Sequence, residues 1–369
     1  SALACAILVG GQQLVAEDVN DIIDLGDYLE TGVYNQSVDI NNKTKIITGN
    51  PFDVRINVDN NGELRSRVPF FYGQTDINIQ NNSKATFENE VTIETSNFHI
   101  NDSTADFKDT LYIFDGSGSF PIIEQDNDFI GGGLSLDNST LDIEGEAKFY
   151  GIDALINHGS TAKIDNFTHY ESKIYVVNDS KLEINKGAIF EGTHLIVDDS
   201  KLEINEGAIF DRGAHLIVKD DSNTTINGAL TVLDSGTIEF VDGEYVVNDG
   251  GIKIDKSNLN VAGEVYFYNS DTELNNSSIV NFKDNLALFD SAMLLKNSSS
   301  LNVGGVADFA DSALVVQNGS KVMFGNNFTM KNGEAEKSII ILDNGSEINI
   351  KGDFENHGVI YYGASADSA

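Results

Sequence analysis

Two nearly identical segments lie twenty residues apart in this chain. Residues 180–190 read SKLEINKGAIF, and residues 200–210 read SKLEINEGAIF. After a short turn each copy is followed by His-Leu-Ile-Val, at 194–197 and at 215–218. A period near twenty residues, built from short alternations of apolar and polar residues, is typical of a solenoid in which each repeat is one coil stacked on the previous one. The repeat therefore predicts that most residues serve stacking and not chemistry.

A turn residue followed by serine marks each repeat, and most of these serines are 20 to 22 residues apart. The landmark serines are Ser83, Ser103, Ser139, Ser160, Ser180, Ser200, Ser222, Ser235, Ser257, Ser278, Ser299, Ser320 and Ser346. The 36-residue interval before Ser139 predicts an insertion at 116–128, where Pro121 lies. The 13-residue interval before Ser235 predicts one short coil, and the 26-residue interval before Ser346 predicts one extended coil.

Each repeat contains three short stretches with strand character. An Asn-Asp-Ser turn, whose residues tolerate left-handed backbone conformations, precedes the first stretch. There Leu182 and Ile184 alternate with polar residues, which predicts a strand with one buried face. After a glycine, Ala188 and Phe190 alternate in the same way. Residues 195–197 predict a third strand, whose inward-facing residues the sequence does not assign.

Three such strands and their turns form one rung of a three-sided parallel β-helix. We therefore expect an all-β chain, a right-handed parallel β-helix of about 13 rungs with about 20–22 residues each. At roughly 4.8 Å per rung, the rod would be about 60 Å long. No segment has apolar residues at helical spacing over three turns, so helices are not predicted. An antiparallel sandwich is the alternative, but it does not require near-identical units.

The sequence also suggests boundaries. Residues 1–16 are apolar and resemble the back half of a secretory signal peptide, with an N-terminal strand or amphipathic cap as the alternative. Residues 17–72 are less repetitive and contain two of the three prolines, which predicts a cap with the first coils. We expect the parallel β-helix over 73–363 and a polar tail over 364–369.

The composition restricts the possible partners. Acidic residues outnumber basic ones by 58 to 23, which gives a formal net charge of −35. Such a charge repels nucleic acids and anionic lipid surfaces, so neither is an expected partner. The single cysteine, Cys5, excludes disulfides within the chain and thiolate metal clusters. No apolar stretch is long enough to span a membrane, so direct membrane insertion by this segment is not expected.

The rung pattern x-Leu-x-Ile-x-x-Gly-Ala-x-Phe, with Asn-Asp-Ser or Asn-Gly-Ser turns, resembles the passenger domains of bacterial autotransporters and related β-helical surface adhesins. The resemblance covers about three hundred residues as a style of repeat. It implies a secreted or cell-surface protein, associated with the bacterial outer membrane. It also implies a partner, either a glycan or a protein on the surface of a host or neighbouring cell.

Two kinds of candidate site involve carboxylates. β-Helical polysaccharide hydrolases and lyases use carboxylates, but with 58 acidic residues no pair stands out, and a solvated acidic face is the preferred interpretation. His194 and His215 occupy the same place in successive repeats, and with Asp198 they could bind a metal. Duplication of one surface histidine is the preferred explanation. The acidic residues considered are Asp198, Asp199, Asp220, Asp221, Asp311 and Asp343.

Two further patterns concern turns. Residues 59–63, Asp-Asn-Asn-Gly-Glu, have the oxygen-rich character of a calcium loop, but they lack the spacing of an EF-hand. Asn-x-Ser/Thr sequences recur at the turns, for example at Asn138, Asn178 and Asn318. They are possible glycosylation sites, although the preference of turns for Asn and Ser explains them without sugar.

We therefore expect an exported structural or adhesive rod without catalytic residues, cofactor or dedicated metal site. Its predicted recognition surface is the insertion at 116–128 or the N-terminal cap. A polysaccharide-processing enzyme on the same scaffold is one alternative, and it requires a groove with closely spaced carboxylates. A self-associating filament or sheath subunit is the other.

Overall fold

The computed structural model describes residues 22–24, 36–49, 54–115, 122–123, 129–130, 133–235, 237–241, 244–248, 251–331, 338–343 and 345–363. Within these ranges the chain contains strands and no helix, and the strands stack in parallel as a β-solenoid of about 13 turns. The fold class predicted from the repeat is therefore confirmed. The proposed signal remnant at 1–16 and the tail at 364–369 lie outside the described residues.

Most coils supply one strand to each of three parallel sheets, which follow one another in the order A, B, C. Sheet A contains the x-Leu-x-Ile stretch; Leu182 and Ile184 are buried and pair in register with Leu202 and Ile204. Its strands are Ile22–Asp24, Thr44–Thr48, Glu63–Ser66, Lys84–Phe87, Thr104–Phe107, the first parts of Thr140–Tyr150 and Thr161–Tyr170, Lys181–Ile184, Lys201–Ile204, Asn223–Ile226, Asn258–Val261, Ile279–Phe282, Ser300–Val303, Lys321–Phe324 and Glu347–Ile350.

Sheet B contains the Ala-x-Phe stretch, and Phe190 and Phe210 face inward as predicted. Their rings stack with centroids 4.7 Å apart, because parallel coils in register place identical residues directly above one another. The strands of sheet B are the first parts of Phe70–Gln80 and Val91–Asn101, Leu111–Asp115, the second parts of Thr140–Tyr150 and Thr161–Tyr170, Ala188–Glu191, Ala208–Asp211, Leu230–Ser235, Val265–Ser270, Leu286–Phe289, Ala307–Ala310, Phe328–Lys331 and Phe354–Asn356.

Sheet C supplies the third wall, and its inward-facing residues are constant from coil to coil. Leu195 and Val197 are fully buried and align with Leu216 and Val218. The strands of sheet C are Gln36–Asn41, Val54–Asp59, the second parts of Phe70–Gln80 and Val91–Asn101, Gly133–Asp137, Asp153–Asn157, Lys173–Val177, His194–Asp198, His215–Lys219, Gly251–Asp255, Thr272–Asn275, Ala292–Leu295, Ala313–Val316, Ile339–Leu342 and Val359–Tyr362.

Buried serines accept hydrogen bonds from the backbone at two of the three corners. At the corner between sheets C and A, the Ser180 N–H donates to Ser200 Oγ at 3.1 Å, and the Ser200 N–H donates to Ser222 Oγ at 3.0 Å. At the corner between sheets B and C, the Ser235 N–H donates to Ser270 Oγ at 3.1 Å. These hydroxyls accept from backbone N–H groups that the corner would otherwise leave unpaired.

The interpretation of Ser235 as the landmark of a short coil is wrong. Ser235 belongs to the B–C corner, whereas the coil after Ser222 reaches its C–A landmark at Ser257. The extra residues of this coil include an antiparallel hairpin, Thr237–Val241 paired with Glu244–Asn248. The sequence misled because both corners use serine for the same hydrogen bond.

A second long connection lies at the same corner, earlier in the chain. Leu111–Asp115 and Gly133–Asp137 belong to one coil, since both pair with the same preceding strand. Between them, Ile122–Ile123 pairs antiparallel with Phe129–Ile130. The rest of the predicted insertion at 116–128 lies outside the described residues, so its proposed role in recognition stays a prediction.

Candidate ligand-binding face

The predicted histidine pair forms, but the predicted third metal ligand does not join it. His194 and His215 align on successive strands of sheet C, with ring centroids 5.0 Å apart and planes at 70°. Asp198 lies on the same strand as His194 but pairs with Lys219 Nζ at 2.7 Å. Among the described residues no group of three potential metal ligands occurs. The two imidazoles therefore make an edge-to-face contact on the wall of sheet C.

The acidic candidates lie mainly at corners. Asp199, Asp220, Asp221 and Asp311 have φ values of 44°, 52°, 65° and 49°. Aspartate is one of the few residues besides glycine that tolerates this left-handed conformation. Asp221 also pairs with Lys256 at 3.0 Å. Corner geometry accounts for these carboxylates without a catalytic role.

The calcium-like turn is also explained by corner geometry. Asp59 Oδ1 accepts hydrogen bonds from Asn81 Nδ2 at 2.6 Å and from the Asn60 N–H at 2.7 Å. The hydrogen bond from Asn81 is the main cause that lowers the pKa of Asp59; desolvation opposes it, and the Asn60 N–H lowers the pKa further, because both donors stabilise the carboxylate. Glu63 pairs with Arg65 at 3.2 Å. These oxygens are engaged within the protein.

The sequon asparagines form ladders along the C–A corner. In several of them Nδ2, the atom that would carry a glycan, donates to a side-chain oxygen of the preceding coil. These bonds run from Asn81 to Asp59, Asn138 to Asp102, Asn178 to Asn157, Asn276 to Asp255, Asn297 to Asn275 and Asn318 to Asn297, at 2.6–3.2 Å. At the end of this row, Asp343 accepts a hydrogen bond from the Asn318 N–H at 2.6 Å. The ladders give the turn asparagines a structural purpose.

Sheet B presents large apolar side chains to solvent in several of its coils. Tyr150 is 41% exposed, Tyr268 51% and Phe289 38%. The first outward column runs through Tyr112, Lys148, Thr168, Ile189, Ile209, Thr231 and Tyr266. The second contains Phe114, Tyr150, Tyr170, Glu191, Asp211, Leu233, Tyr268 and Phe289. These exposed apolar side chains are interrupted by polar and charged residues, and clusters of exposed apolar side chains mark interaction sites.

The other two outward faces differ from sheet B. Sheet A is covered mainly with Lys, Glu, Thr and Asn, and in its described part Ile22, Ile279 and Met323 are its large exposed apolar residues. Sheet C has outward apolar residues as well, but Leu294 and Val315 are only 0% and 3% exposed, and its exposed aromatic residues, Tyr361 and Tyr362, lie on its last strand. We therefore regard the outward surface of sheet B as the candidate binding face.

A groove of about 430 Å³ lies on this face, at the corner between sheets A and B. Corner positions directly before sheet B carry side chains in most coils, such as Asn166 and Glu264. In three successive coils they are Gly187, Gly207 and Ala229. The small size of these residues opens the groove, which passes from one coil to the next along the solenoid axis.

The exposed isoleucines Ile189 and Ile209, 37% and 38% exposed, line the groove beside its row of small residues. In the same outward column, Thr168 lies on one side of them and Thr231 on the other. Asn166 adds an amide. The groove thus combines an apolar centre with hydroxyl and amide groups at its margins, the usual composition of a small-molecule site.

Glu146 is the one charged residue that lines the groove. Its carboxylate pairs with Lys148 Nζ at 2.8 Å. This hydrogen bond is the main reason why the pKa of Lys148 is raised. Lys148 also lies 5.4 Å from the centroid of the Tyr112 ring, within cation–π range. The groove is therefore close to neutral, although the chain as a whole carries −35.

Tyrosines extend the face beyond both ends of the groove. Tyr150 and Tyr170 stack with centroids 4.6 Å apart and planes at 6°. Past Thr231, the hydroxyl of Tyr266 donates to Glu264 at 2.5 Å, and Asn285 Nδ2 donates to the same carboxylate. The bond from Tyr266, followed by that from Asn285, lowers the pKa of Glu264. This end offers an aromatic ring with adjacent hydrogen-bonding groups.

One buried histidine belongs to the core. His169 takes the place of a phenylalanine in the inward column of sheet B, between Phe149 and Phe190. Its Nε2 donates to the Ile152 carbonyl at 3.1 Å, so Nδ1, 2.9 Å from Thr193 Oγ1, is the acceptor. Burial lowers the pKa of His169 to about 3, because the charged form loses its water.

Comparison of the chain with protein-family models, with curated proteins and with solved structures found no match. Across the described ranges, no helix has the length and apolarity needed to cross a membrane. Any functional interpretation therefore has to come from the solenoid and its exposed face.

Proposed function

We propose that this chain is an exported, surface-associated adhesive rod whose contact surface is the outward face of sheet B. The observation that carries the proposal is the contrast between faces. Large exposed apolar residues such as Tyr150, Tyr268 and Phe289 are more numerous on sheet B than on sheet A, whose outward face is mainly polar. Monomeric proteins rarely leave a long apolar face exposed unless it contacts something.

The solenoid is suited to this task. Parallel stacking fixes each coil on its neighbours, so the face is rigid and its residues need little ordering when a partner binds. The net charge of −35 keeps the rods apart and favours neutral or cationic partners. The rung pattern adds its resemblance to autotransporter passengers and β-helical adhesins, which supports placement at a bacterial surface.

The proposed partner is a glycan or protein on a host or neighbouring cell. The test is adhesion of fluorescent microspheres coated with the purified chain to a panel of bacterial and animal cells, with albumin-coated microspheres as the reference. We expect retention by at least one cell type. Retention should fall when Tyr268→Thr and Phe289→Thr are combined, but not with Met323→Thr on sheet A. Retention no greater than that of albumin on every cell type would contradict the proposal.

Export is tested separately. Antibodies against the chain should detect it in the surface or extracellular fraction of the cells that produce it. Recovery in the cytoplasmic fraction alone would contradict export.

The groove does not favour the enzyme alternative. Glycosidases generally use two carboxylates, whereas Glu146 is the one carboxylate that lines this groove, and it is engaged by Lys148. The filament alternative stays a prediction, and a monodisperse monomer in concentrated solution by light scattering would argue against it.

A further inference from the structure

We propose that the groove at the A–B corner binds an extended, uncharged oligosaccharide lying along the solenoid axis. The inference rests on the proposed function and assigns its ligand class and site. Three observations carry it: the shape of the groove, its charge and the kinds of group that line it.

The shape fits a linear chain. The groove follows the consecutive positions Gly187, Gly207 and Ala229, one from each of three coils. Coils repeat at about 4.8 Å, which is comparable with the length of one sugar residue in an extended glycan. Successive sugars would therefore meet similar surroundings in successive coils. A compact ligand would fill only part of such a groove.

The charge selects a neutral ligand. The one lining carboxylate, Glu146, is compensated by Lys148, so the lining itself carries no uncompensated charge. The surrounding field of a chain with net charge −35 repels uronic acids, sulfated sugars and phosphorylated ligands. It equally repels a second copy of the chain. An uncharged saccharide meets neither penalty.

The lining matches the two surfaces of a sugar ring. Ile189 and Ile209 offer exposed apolar area to the C–H face. Thr231 and Asn166 line the groove, where ring hydroxyls would need partners, whereas Thr168 is only 6% exposed. A protein ligand would instead require a broader surface, since stable protein interfaces bury about 800 Å² on each partner.

Neighbouring coils supply fold-compatible variants. Gly187→Asn inserts the residue already present at the aligned Asn166, and an added Cβ at Gly187 would lie 3.6 Å from the nearest atom, an ordinary contact. Ile189→Thr with Ile209→Thr extends the column of Thr168 and Thr231. Ile279→Thr removes an equally exposed isoleucine from sheet A and serves as the matched control.

The experiment is binding to a printed array of neutral, uronic-acid-containing and sulfated oligosaccharides, followed by titration calorimetry with the neutral oligosaccharide that binds best. We expect the wild type to bind neutral oligosaccharides only. Gly187→Asn and the double threonine variant should each weaken binding about tenfold or more, and Ile279→Thr should not. Circular dichroism and thermal unfolding show whether each variant is folded.

Three results would overturn the inference: no binding to neutral oligosaccharides, preference for anionic ones, or equal binding by the groove variants. Adhesion of microspheres separates this outcome from failure of the proposed function. If coated microspheres adhere but groove variants adhere equally well, the rod is adhesive and the groove is not its glycan site. If a cell-surface protein is the ligand captured at the groove, the inference is likewise wrong.

Discussion

Acidification should destabilise the solenoid in part through His169. This imidazole is fully buried among Phe149, Phe167 and Phe190. Its pKa is about 3 in the folded chain, against an ordinary value of 6.5. Between these values the unfolded chain binds a proton that the folded chain does not, so the free energy of unfolding falls as pH falls from 6.5 towards 3.

The magnitude follows from the width of that window. At pH 5 the imidazole lies about 1.5 pH units below its ordinary pKa, which corresponds to about 2 kcal/mol. Chemical denaturation at pH 7 and pH 5 measures the loss. Acidic residues also contribute to acid sensitivity, so the contribution of His169 is the difference between the wild type and His169→Phe. Phenylalanine suits the site because its column already contains Phe149 and Phe190.

We expect His169→Phe to lose about 2 kcal/mol less than the wild type between pH 7 and pH 5. The reciprocal variant Phe190→His places an imidazole at the aligned position of the next coil and should steepen the pH dependence. If His169→Phe and the wild type lose equal stability on acidification, the buried imidazole does not contribute as argued.

Three further predictions concern the architecture. Ile184→Asp should lower the free energy of unfolding by several kcal/mol, measured by thermal unfolding, because it buries a charge. Glu183→Gln, on the outward side, should change it by no more than about 0.5 kcal/mol. Equal effects would contradict the assigned inward face. Ser200→Ala should cost about 1–3 kcal/mol in urea titration by leaving the Ser180 N–H unpaired, and a silent substitution would refute the serine ladder. Deletion of 236–250 should preserve the far-ultraviolet circular dichroism spectrum, because the flanking strands belong to one coil; loss of the β spectrum would show that the hairpin region is needed for folding.

Much of the fold could be predicted because the strands of each coil follow from the alternation of apolar and polar residues within that coil. Leu182, Ile184 and Phe190 show their inward positions by alternation alone, and the near copy at 200–210 shows that the coils stack in register. Sheet C was harder. Outward residues such as Leu294 and Val315 are also apolar, because they too are buried, so alternation does not reveal which side faces the core.

The candidate site was missed for a different reason. It is defined by the small residues Gly187, Gly207 and Ala229, and a glycine or alanine after a turn is ordinary. The signal becomes visible only when coils are aligned at the A–B corner, where neighbouring coils carry Asn166 and Glu264. Ile189 and Ile209 point outward between inward-facing alanine and phenylalanine residues. The alternation that identifies the core gives no sign that these two isoleucines are exposed.

The most direct test of a single contact face compares two threonines of one coil. Thr225 points outward from sheet A and Thr231 from sheet B. Replacing each in turn with a photo-crosslinking amino acid and irradiating the chain on cells to which it adheres measures which face touches the partner. We predict crosslinks from position 231 and few from position 225. Equal crosslinking from both positions, or crosslinks from 225 alone, would contradict the assignment of sheet B as the binding face.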